Sequence, residues 1–377
     1  MCESGGVENH VKEIKLLHAA DLHLDSAFES CSPEAAAQRR EGQRELLFQI
    51  EELAEKRGVS AVLLSGDVFE GGGVKSETQR DFNSALGALS CPVLIAPGNH
   101  DPYSPNSVWE TMRLPENVYI FKTAELEHIE LAGVPARFFG VGFQNTFSKP
   151  LLRGFTAPEK ESDIPDIMVI HGDTAAGAAD YNPISRDELL KCKMDYVALG
   201  HIHARSPLQR VGETYFAYPG CTEGRGFDEL GEKGVLIITI SDSGVSAEFV
   251  PLKGVRYEII NVNVGGKDAL EAVRDAVSEL SENDCCRLIL TGECEELPDT
   301  SALRKQLEGR FRELQLRDET TKKRDVWALR GQNTLSGVYI DKLYTMYNAA
   351  QSDAYREKIE LAAVYGLAAI ENGGELI

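Results

Sequence analysis

The sequence lacks long apolar runs and the features that mark a secreted or membrane-bound chain. No apolar run approaches the ~20 residues that a helix needs to span a bilayer. Residues 1–15 are polar and contain no apolar stretch of the kind that forms the centre of a signal peptide. We therefore expect a cytoplasmic protein that does not enter the membrane.

The cysteine patterns of zinc modules and redox motifs are also missing. The chain has eight cysteines, and none belongs to a Cys-x-x-Cys pair. Thiols of a cytoplasmic protein stay reduced, so disulfides are not expected. Cys285 and Cys286 lead directly into the apolar residues 288–290, which favours buried strand residues over functional thiols.

Positive charge is scarce. The chain has 39 lysines and arginines against 60 aspartates and glutamates, which gives a formal net charge of −21. Duplex binding draws much of its affinity from lysine and arginine on phosphates, so the overall charge argues against a nucleic-acid partner. A local cationic site can still attract phosphate within an acidic protein, so such a partner is not excluded.

What the sequence does contain is a series of short polar fragments that together hold five of its eight histidines. Carboxylate, amide and imidazole side chains of this kind bind borderline divalent metals. The set is large enough for two adjacent ions, an arrangement that hydrolyses phosphate esters with an activated water. The fragments are Asp21-x-His23, Gly66-Asp67, Gly98-Asn99-His100-Asp101, His171-Gly172 and Gly200-His201-Ile202-His203.

The fragments follow apolar segments that read as buried strands. These segments are residues 14–20, 60–65, 92–96, 166–170 and 196–199, and the first two are followed by helical patterns. Alternation of strand, loop and helix predicts an α/β fold. Ligands of such sheets bind beyond the carboxyl ends of the strands, so we expect the fragments to form one site.

The first helix carries signals at both ends. Ser32 is suited to the N-cap and Pro33 to the first helical position, and Gly58 is suited to end the helix after Arg57. The spacing therefore predicts a helix over residues 33–57.

Two ligand roles follow from position in the fragments. Two metals held about 3.5–4 Å apart need a carboxylate that bridges them, and Asp67 is the candidate for this bridge. His100 directly follows Asn99, so its side chain is expected to point away from that ligand and towards the substrate. There it could stabilise the charged phosphorane or donate a proton to the leaving oxygen.

Other polar residues are interpreted by their surroundings in sequence. His18 lies within the first strand and is expected to be a core histidine, whereas Asp25 and Asp101 are candidate partners for ligating histidines. Three basic residues of later loops are expected to be solvated, with contact to substrate phosphates as the alternative. They are Arg205, Arg225 and Lys233.

The chain is expected to have three parts. Residues 12–253 form the domain with the metal site, residues 254–325 a small α+β domain, and residues 326–377 a C-terminal helical region. The helix predicted near residues 334–350 has an apolar face that suits packing on its own domain or docking of a partner. That face consists of Leu335, Val338, Tyr339, Leu343 and Tyr347.

The series of fragments resembles the calcineurin-like metallophosphoesterases, and more closely the bacterial SbcD-type DNA repair nucleases, in particular their YhaO-like branch. The resemblance covers residues 14–251 well, is looser over the small α+β domain, and recovers in the last helices. It implies a four-layer α-β-β-α sandwich. It rests on His18-Ala-Ala-Asp21-Leu-His23-Leu-Asp25-Ser26, Gly66-Asp67-Val-Phe69, Pro97-Gly-Asn99-His100-Asp101, His171-Gly172, Gly200-His201-Ile-His203, and Tyr218-Pro219-Gly220 with Gly224-Arg-Gly-Phe-Asp-Glu-Leu-Gly-Glu-Lys-Gly234.

The resemblance also implies roles and partners. His100 would be the catalytic histidine, the metals Mn²⁺, and the protein a homodimer that pairs with an SbcC-like coiled-coil ABC-type ATPase. Residues 254–325 would be a capping domain that helps to choose DNA, and the last helices would dock the ATPase. One metal would be held by Asp21, His23, Asp67 and His203, and the other by Asp67, Asn99, His171 and His201.

The leading hypothesis is thus a two-metal DNA exo/endonuclease that hydrolyses phosphodiester bonds in DNA repair as the nuclease subunit of an SbcCD-like complex. One alternative is a phosphodiesterase or phosphatase for a small nucleotide or another phosphoester. Another is a non-catalytic regulatory scaffold for an SbcC-like ATPase. Loss of metal ligands would favour the scaffold, and no ligand of the pattern is missing.

Overall fold

A computed structural model describes residues 13–29, 31–71, 73–159, 163–175 and 180–371. Its helices are α1 (Pro33–Arg57), α2 (Ser76–Ala88), α3 (Val108–Thr111), α4 (Arg186–Cys192), α5 (Ala269–Ala276), α6 (Thr300–Gln306), α7 (Leu335–Ala349) and α8 (Asp353–Glu371), with a 3₁₀ turn at Val326–Leu329. Its strands are β1 (Ile14–Ala19), β2 (Ala61–Leu64), β3 (Val93–Ile95), β4 (Val118–Ile120), β5 (Glu127–Glu130), β6 (Arg137–Gly140), β7 (Asp166–His171), β8 (Tyr196–Gly200), β9 (Gln209–Val211), β10 (Thr214–Ala217), β11 (Gly234–Ser241), β12 (Gly244–Pro251), β13 (Tyr257–Asn263), β14 (Cys285–Thr291), β15 (Glu293–Cys294), β16 (Glu313–Asp318) and β17 (Thr321–Lys322).

Helix α1 begins and ends where its sequence predicts. The Ser32 hydroxyl accepts a hydrogen bond from the Ala35 amide, and Pro33 occupies the first turn, where its missing N–H has no partner to lose. Gly58 ends the helix in the left-handed conformation, with φ of 60°. These local signals fix the length of the helix independently of its packing.

Two six-stranded mixed sheets form the centre of the fold. The first has the order β12-β11-β1-β2-β3-β4, with β1 to β4 parallel and β11 antiparallel to β1. The second has the order β5-β6-β7-β8-β10-β9, in which β6, β7, β8 and β10 are parallel. Each sheet therefore presents a row of parallel strands whose carboxyl ends meet at one edge.

The apolar core lies in three layers around these sheets. Leu16, Leu63 and Leu94 of the first sheet pack with residues of the second such as Phe138 and Ile167. Other clusters fill the space between the first sheet and α1 and α2, and between the second sheet and α4. The predicted α-β-β-α sandwich is therefore confirmed, together with additional small sheets and C-terminal helices.

His18 is a core histidine, as its position in β1 predicts. Its side chain is fully buried, with Nδ1 2.8 Å from the Tyr196 hydroxyl and Nε2 3.0 Å from the Ser65 hydroxyl. Burial lowers the pKa of His18 to about 3, so the ring is neutral. It links the two sheets and is not a metal ligand.

The chain divides into two compact units. One contains the described residues of Met1–Ile259 with Leu280–Arg287 and Gly309–Gln315, and the other contains those of Ile260–Glu279, Leu288–Glu308 and Leu316–Ile377. The small sheets are β13-β14-β16 and β15-β17. The predicted three domains stay a prediction, and their positions 12 and 372–377 lie outside the described residues.

The cysteines of the later part follow the sequence pattern, and the predicted apolar face of α7 is packed at some positions and exposed at others. Cys285 and Cys286 are buried free thiols of β14, as predicted. On α7, Tyr339 and Leu343 pack against a small core, but Leu335 and Val338 of the predicted face are 71% and 55% exposed. The buried α7 residues are instead Gly337 and Ile340. Within the described part of the chain, no helix is apolar and long enough to cross a bilayer.

Candidate metal centre

The carboxyl ends of five strands bring the predicted ligands together. β1, β2 and β3 lead to the first three fragments, while β7 ends on His171 and β8 leads to His201 and His203. Three groups of side chains have ligand atoms within 4.8 Å of one another. These groups are Asp21, His23 and His203; His23, Asp67 and His100; and Asp67, His171 and His201.

Backbone hydrogen bonds hold the ligand loops in register. The Asp21 amide donates to the Gly66 carbonyl at 3.1 Å, and the His23 amide donates to the Asp67 carbonyl at 2.9 Å. The His201 amide donates to the Asp21 carboxylate at 3.0 Å, which joins the loops of the two sheets. The ligands are thus positioned by main chain as well as by side chain.

The ligand backbones are strained. Four of the seven predicted ligands have positive φ values, namely 52° for Asp21, 44° for His23, 51° for Asp67 and 105° for His201. For a residue with a side chain such conformations cost of order 1–3 kcal/mol each and persist only where the surroundings impose them. Clustering of this strain at one edge is typical of a functional site.

A glycine and a buried aspartate shape the third loop. A Cβ atom at Gly98 would overlap Asp67 Oδ1, so only glycine lets this loop approach the second one. Asp101 accepts hydrogen bonds from the Gly98, Val68 and Phe69 amides at 2.8, 2.8 and 3.1 Å. Asp101 therefore ties two ligand loops together through their backbones.

The histidines present Nε2 to the centre because Nδ1 is bound elsewhere. Nδ1 of His23 lies 2.6 Å from Glu70 Oε2, and Nδ1 of His203 lies 2.7 Å from Glu229 Oε1. Nδ1 of His171 donates to the Ser65 carbonyl at 2.8 Å. A histidine that ligates a metal usually donates its other N–H to a carboxylate or carbonyl in this way.

The opposite ring atoms converge. Nε2 of His171 lies 3.0 Å from Asn99 Oδ1 and 3.3 Å from Asp67 Oδ2, and Nε2 of His23 lies 3.1 Å from Nε2 of His203. Asn99 and Asp67 are almost fully buried. The predicted ligands therefore face one another in a small polar space at the strand ends.

The buried carboxylates of the centre are stabilised by positive charge placed close to them. Burial alone would raise the pKa of Asp67, but the imidazoles of His171 and His23 hold it well below its usual range. Burial would likewise lower the pKa of His171, but Asp67 and Asp21 raise it to about 9. Two buried carboxylates thus retain a proton on a neighbouring histidine, and divalent cations would supply the same charge.

His100 lies at the edge of the centre. Its ring centroid is 4.8 Å from that of His23, and its side chain is 40% exposed. Nδ1 lies 2.8 Å from Glu70 Oε1, and this hydrogen bond raises the pKa of His100 above its usual value. The side chain is more exposed than that of Asn99, and its expected direction towards the substrate stays a prediction.

Three charged residues that sequence reasoning did not place at the centre support these histidines. Glu70 contacts His23 and His100, and Arg225 donates to Glu70 Oε2 at 3.1 Å and to Glu229 Oε1 at 2.8 Å. Arg225 Nη2 also lies 3.1 Å from His203 Nδ1. The position of Glu70, three residues after Asp67, was the available signal for its role.

The expected partners of the histidines were wrong. Asp25 accepts hydrogen bonds from the Lys75 amide and the Thr78 hydroxyl, and Asp101 binds backbone amides, so neither orients a histidine. Arg225 is ion-paired and largely buried, contrary to the expected solvated position. The carboxylates that bind histidine lie at 70 and 229, where chain folding and not local pattern brings them near.

The donor set fits two divalent ions. Aspartate, asparagine and histidine suit manganese, zinc or iron, and Asp67 belongs to two of the three groups. Burial lowers the pKa of His201 to about 4, which keeps that imidazole neutral and able to bind a metal. The His/Asp clusters are thus consistent with a dimetal site.

Comparison with known proteins agrees with this site. A family model described as calcineurin-like phosphoesterase matches residues 14–205. An uncharacterized metallophosphoesterase, YhaO of Bacillus subtilis, is 30% identical over 338 residues, which cover 84% of this chain and 81% of YhaO.

Two more distant relatives carry names from DNA metabolism. The DNA double-strand break repair protein Mre11 of Methanopyrus kandleri is 26% identical over 70% of this chain and 62% of Mre11. The SbcD component of the nuclease SbcCD of Bacillus subtilis is 24% identical over 60% of this chain and 66% of SbcD. Both matches span less than two thirds of the relative. The family model, the YhaO match and the clustered ligands together establish that this chain belongs to the calcineurin-like phosphoesterases.

Proposed function

We propose that this phosphoesterase is a metal-dependent DNA exo/endonuclease and acts as the nuclease subunit of an SbcCD-like complex in DNA repair. The observation that carries the phosphoesterase chemistry is the cluster of three Asp/His ligand groups at the strand ends, two of which contain the buried Asp67. Support for DNA as the substrate comes from the relatives Mre11 and SbcD, which match 70% and 60% of this chain.

We propose two ions, both Mn²⁺, with Asp67 common to both. When bound, they would lower the pKa of a water and neutralise charge on the phosphate. One would be held by Asp21, His23, Asp67 and His203, and the other by Asp67, Asn99, His171 and His201.

His100 is proposed as the catalytic histidine. The proposal is supported by its exposed ring, whose centroid lies 4.8 Å from that of His23. A water that has lost a proton to solvent attacks phosphorus as hydroxide. The bond to the leaving oxygen breaks with its electron pair staying on that oxygen, and His100 gives the oxygen a proton. Glu70 holds the ring through Nδ1, so that Nε2 is the atom available for the transfer.

The test compares two histidines. Purified protein with Mn²⁺ is expected to degrade duplex DNA, and His100→Ala is expected to abolish cleavage while metal content stays unchanged. The matched control is His128→Ala, which removes an exposed histidine of β5 outside the centre and should cleave normally. Metal content is measured by mass spectrometry and cleavage on end-labelled duplexes.

Other outcomes would point to other functions. Hydrolysis of bis-p-nitrophenyl phosphate without any cleavage of DNA, even with the ATPase present, would overturn the nuclease proposal in favour of a small phosphoester. Binding of the ATPase with no hydrolysis of either substrate would favour a regulatory scaffold.

The last two helices are proposed to dock the ATPase, with residues 254–325 as a capping domain that helps to choose DNA. Exposed apolar side chains support the docking role, since large side chains of this kind often mark protein interaction surfaces. They include Leu335, Leu361, Val364 and Tyr365, between 49% and 71% exposed. Leu335→Glu is expected to weaken capture of an SbcC-like ATPase, whereas Leu190→Glu on α4 is not. Light scattering tests the proposed homodimer.

A further inference from the structure

A row of aromatic rings leads from the metal centre to solvent. The ring centroid of Tyr181 lies 5.2 Å from that of His201, and Phe147 stacks on Tyr181 at 5.7 Å with an interplanar angle of 26°. Phe147 is 64% exposed, so an apolar ring is open to water near a predicted ligand.

The backbone around these rings is fixed. The Ser148 amide donates to the Asp180 carbonyl at 2.9 Å, and the Asn182 amide donates to the Ser148 carbonyl at 3.0 Å. Ser148 and Tyr181 form a parallel bridge between the two loops. The stacked pair is therefore held in place before any ligand arrives.

Asn182 joins this pair of loops to the metal centre. Its side chain is fully buried, donates to the His171 carbonyl at 2.7 Å and accepts from the Leu151 amide at 2.7 Å. His171 is a predicted ligand, so the position of the ring pair is tied to the position of the centre. A ligand stacked on Phe147 would consequently lie at a fixed distance from the reacting atoms.

An exposed aromatic face can bind the bases of a single-stranded nucleic acid. Bases stack on aromatic side chains without regard to sequence, because every base has a π face. The exposed Lys149, two residues from Phe147, places a cation in the same loop, where a phosphate backbone would pass. One short loop beside the centre could therefore bind a base through Phe147 and the phosphate backbone through Lys149.

We propose that Phe147 and Tyr181 form a stacking platform for the nucleobase of a nucleotide beside the scissile phosphate. The proposal rests on the proposed nuclease function for its substrate. The base stacks on the free face of Phe147, and Tyr181 supports the other face. The platform favours an unpaired or frayed nucleotide, since a base inside a duplex does not offer its face.

The first experiment measures stacking without cleavage. In the His100→Ala protein with Mn²⁺, 2-aminopurine at successive positions of a single-stranded end reports stacking by quenching of its fluorescence. Phe147→Leu is expected to weaken binding by about 5- to 100-fold and to remove the quenching, while Phe147→Tyr retains both. Phe48→Leu removes an exposed ring of α1, outside both the centre and the proposed docking helices, and should change neither.

The second experiment measures cleavage. The protein with His100 intact should cut an oligonucleotide with an abasic residue at the quenched position about 5- to 100-fold more slowly than the normal strand. Phe147→Leu should cut both at the same slow rate. Equal unfolding midpoints of Phe147→Leu and the unaltered protein show that the fold is kept. A dinucleotide tested in parallel shows whether one base is sufficient.

The outcomes separate the two proposals. Quenching that needs Phe147 in a protein that cuts no DNA would support the platform and overturn the nuclease. Cleavage of DNA with no difference between Phe147→Leu and the unaltered protein in quenching and abasic discrimination would overturn the platform and leave the nuclease standing. Absence of quenching at every position also overturns the platform.

Discussion

Two neighbourhoods of the metal centre are built in opposite ways. In the charged neighbourhood, formed by Glu70, Arg225 and Glu229, the two carboxylates hydrogen-bond the Nδ1 atoms of histidines and pair with Arg225. The aromatic neighbourhood, formed by Tyr181 and Phe147, approaches His201 only through ring faces. The first completes its hydrogen bonds within the protein, whereas the second ends on a ring that faces water.

This difference indicates that the charged neighbourhood orients the metal ligands and that the aromatic neighbourhood is available to bind substrate. Burial would raise the pKa of Glu229, but His203 and Arg225 hold it below its usual range, so this carboxylate is fully engaged. Engaged charges orient ligands and have little capacity left for a substrate. The exposed face of a ring is not occupied by hydrogen bonds or ion pairs within the protein, so it can contact a substrate. We therefore expect mutations in the charged neighbourhood to affect metal binding, and those in the aromatic neighbourhood to affect substrate.

The largest effect is expected at Asp67, which shares one ligand group with His23 and another with His201. Asp67→Asn removes the charge shared by two ligand groups, and the metals contribute several kcal/mol of transition-state stabilisation. Turnover should fall by about 10³-fold, and bound metal should fall with it. Hydrolysis of bis-p-nitrophenyl phosphate and mass spectrometry of bound metal give the two measurements.

A control shows that the loss is chemical. Asn can still accept the 2.9 Å hydrogen bond from the His100 amide, so the far-UV circular dichroism spectrum should stay unchanged. Loss of the attraction between Asp67 and His171 should lower the unfolding midpoint in EDTA. Full activity of Asp67→Asn with both metals bound would show that the shared carboxylate is not needed, and would contradict the dimetal interpretation.

The next effect is expected at the residue that anchors the aromatic neighbourhood. Asn182→Ala leaves the His171 carbonyl and the Leu151 amide without their partners and places Ala at a φ of 49°. The free energy of unfolding should fall by about 3 kcal/mol. Urea denaturation measures the change.

Asn182→Gly separates the two causes. Glycine accepts the left-handed conformation but makes no side-chain hydrogen bond, so it should cost about 1 kcal/mol less than Ala. Equal losses would show that backbone conformation does not contribute. Losses below about 1 kcal/mol for both would show that the hydrogen bonds do not secure the loops.

A smaller effect is expected from the charged neighbourhood. Glu229→Gln weakens the hold on His203 Nδ1 and leaves Arg225 with one carboxylate partner, so metal affinity should fall by about 10- to 100-fold. Titration with Mn²⁺ measures it. Glu248→Gln, which breaks the exposed pair with Arg57, should leave affinity unchanged. Equal affinity of Glu229→Gln and Glu248→Gln would remove the distinction between the two neighbourhoods.

The comparison also shows what the sequence can predict. The strand-end positions of Asp21, Asp67 and His171 follow from local apolar pattern, because a parallel strand places its next residues at a known edge. Glu229 lies 26 residues from His203 and Asn182 lies 11 residues from His171, and loop paths without a regular period make these contacts. The apolar pattern of the strands therefore predicts the metal ligands. The residues that hydrogen-bond those ligands are identified only from the folded structure.

Asp101 illustrates the same limit at close range. Its place beside His100 favoured a histidine partner, but the turn at Gly98 aims its carboxylate at three backbone amides. Burial raises the pKa of Asp101 to about 7, with Asp67 adding to the effect. The local pattern identified the residue and its neighbourhood, while turn geometry decided its contacts.

The smallest effect is expected for the stability of the protein when the exposed ring of the aromatic neighbourhood is removed. Phe147→Ser changes an exposed side chain, so the free energy of unfolding should change by less than about 0.5 kcal/mol. Phe143→Ser, four residues earlier, removes a ring that is 1% exposed and packs edge-on against His171 at 5.6 Å. It should cost about 3–5 kcal/mol in urea denaturation. A large loss for Phe147→Ser would mean that this ring supports the fold as Phe143 does. A negligible loss means that the apolar ring is kept in water for a reason other than stability, which is what a surface for substrate requires.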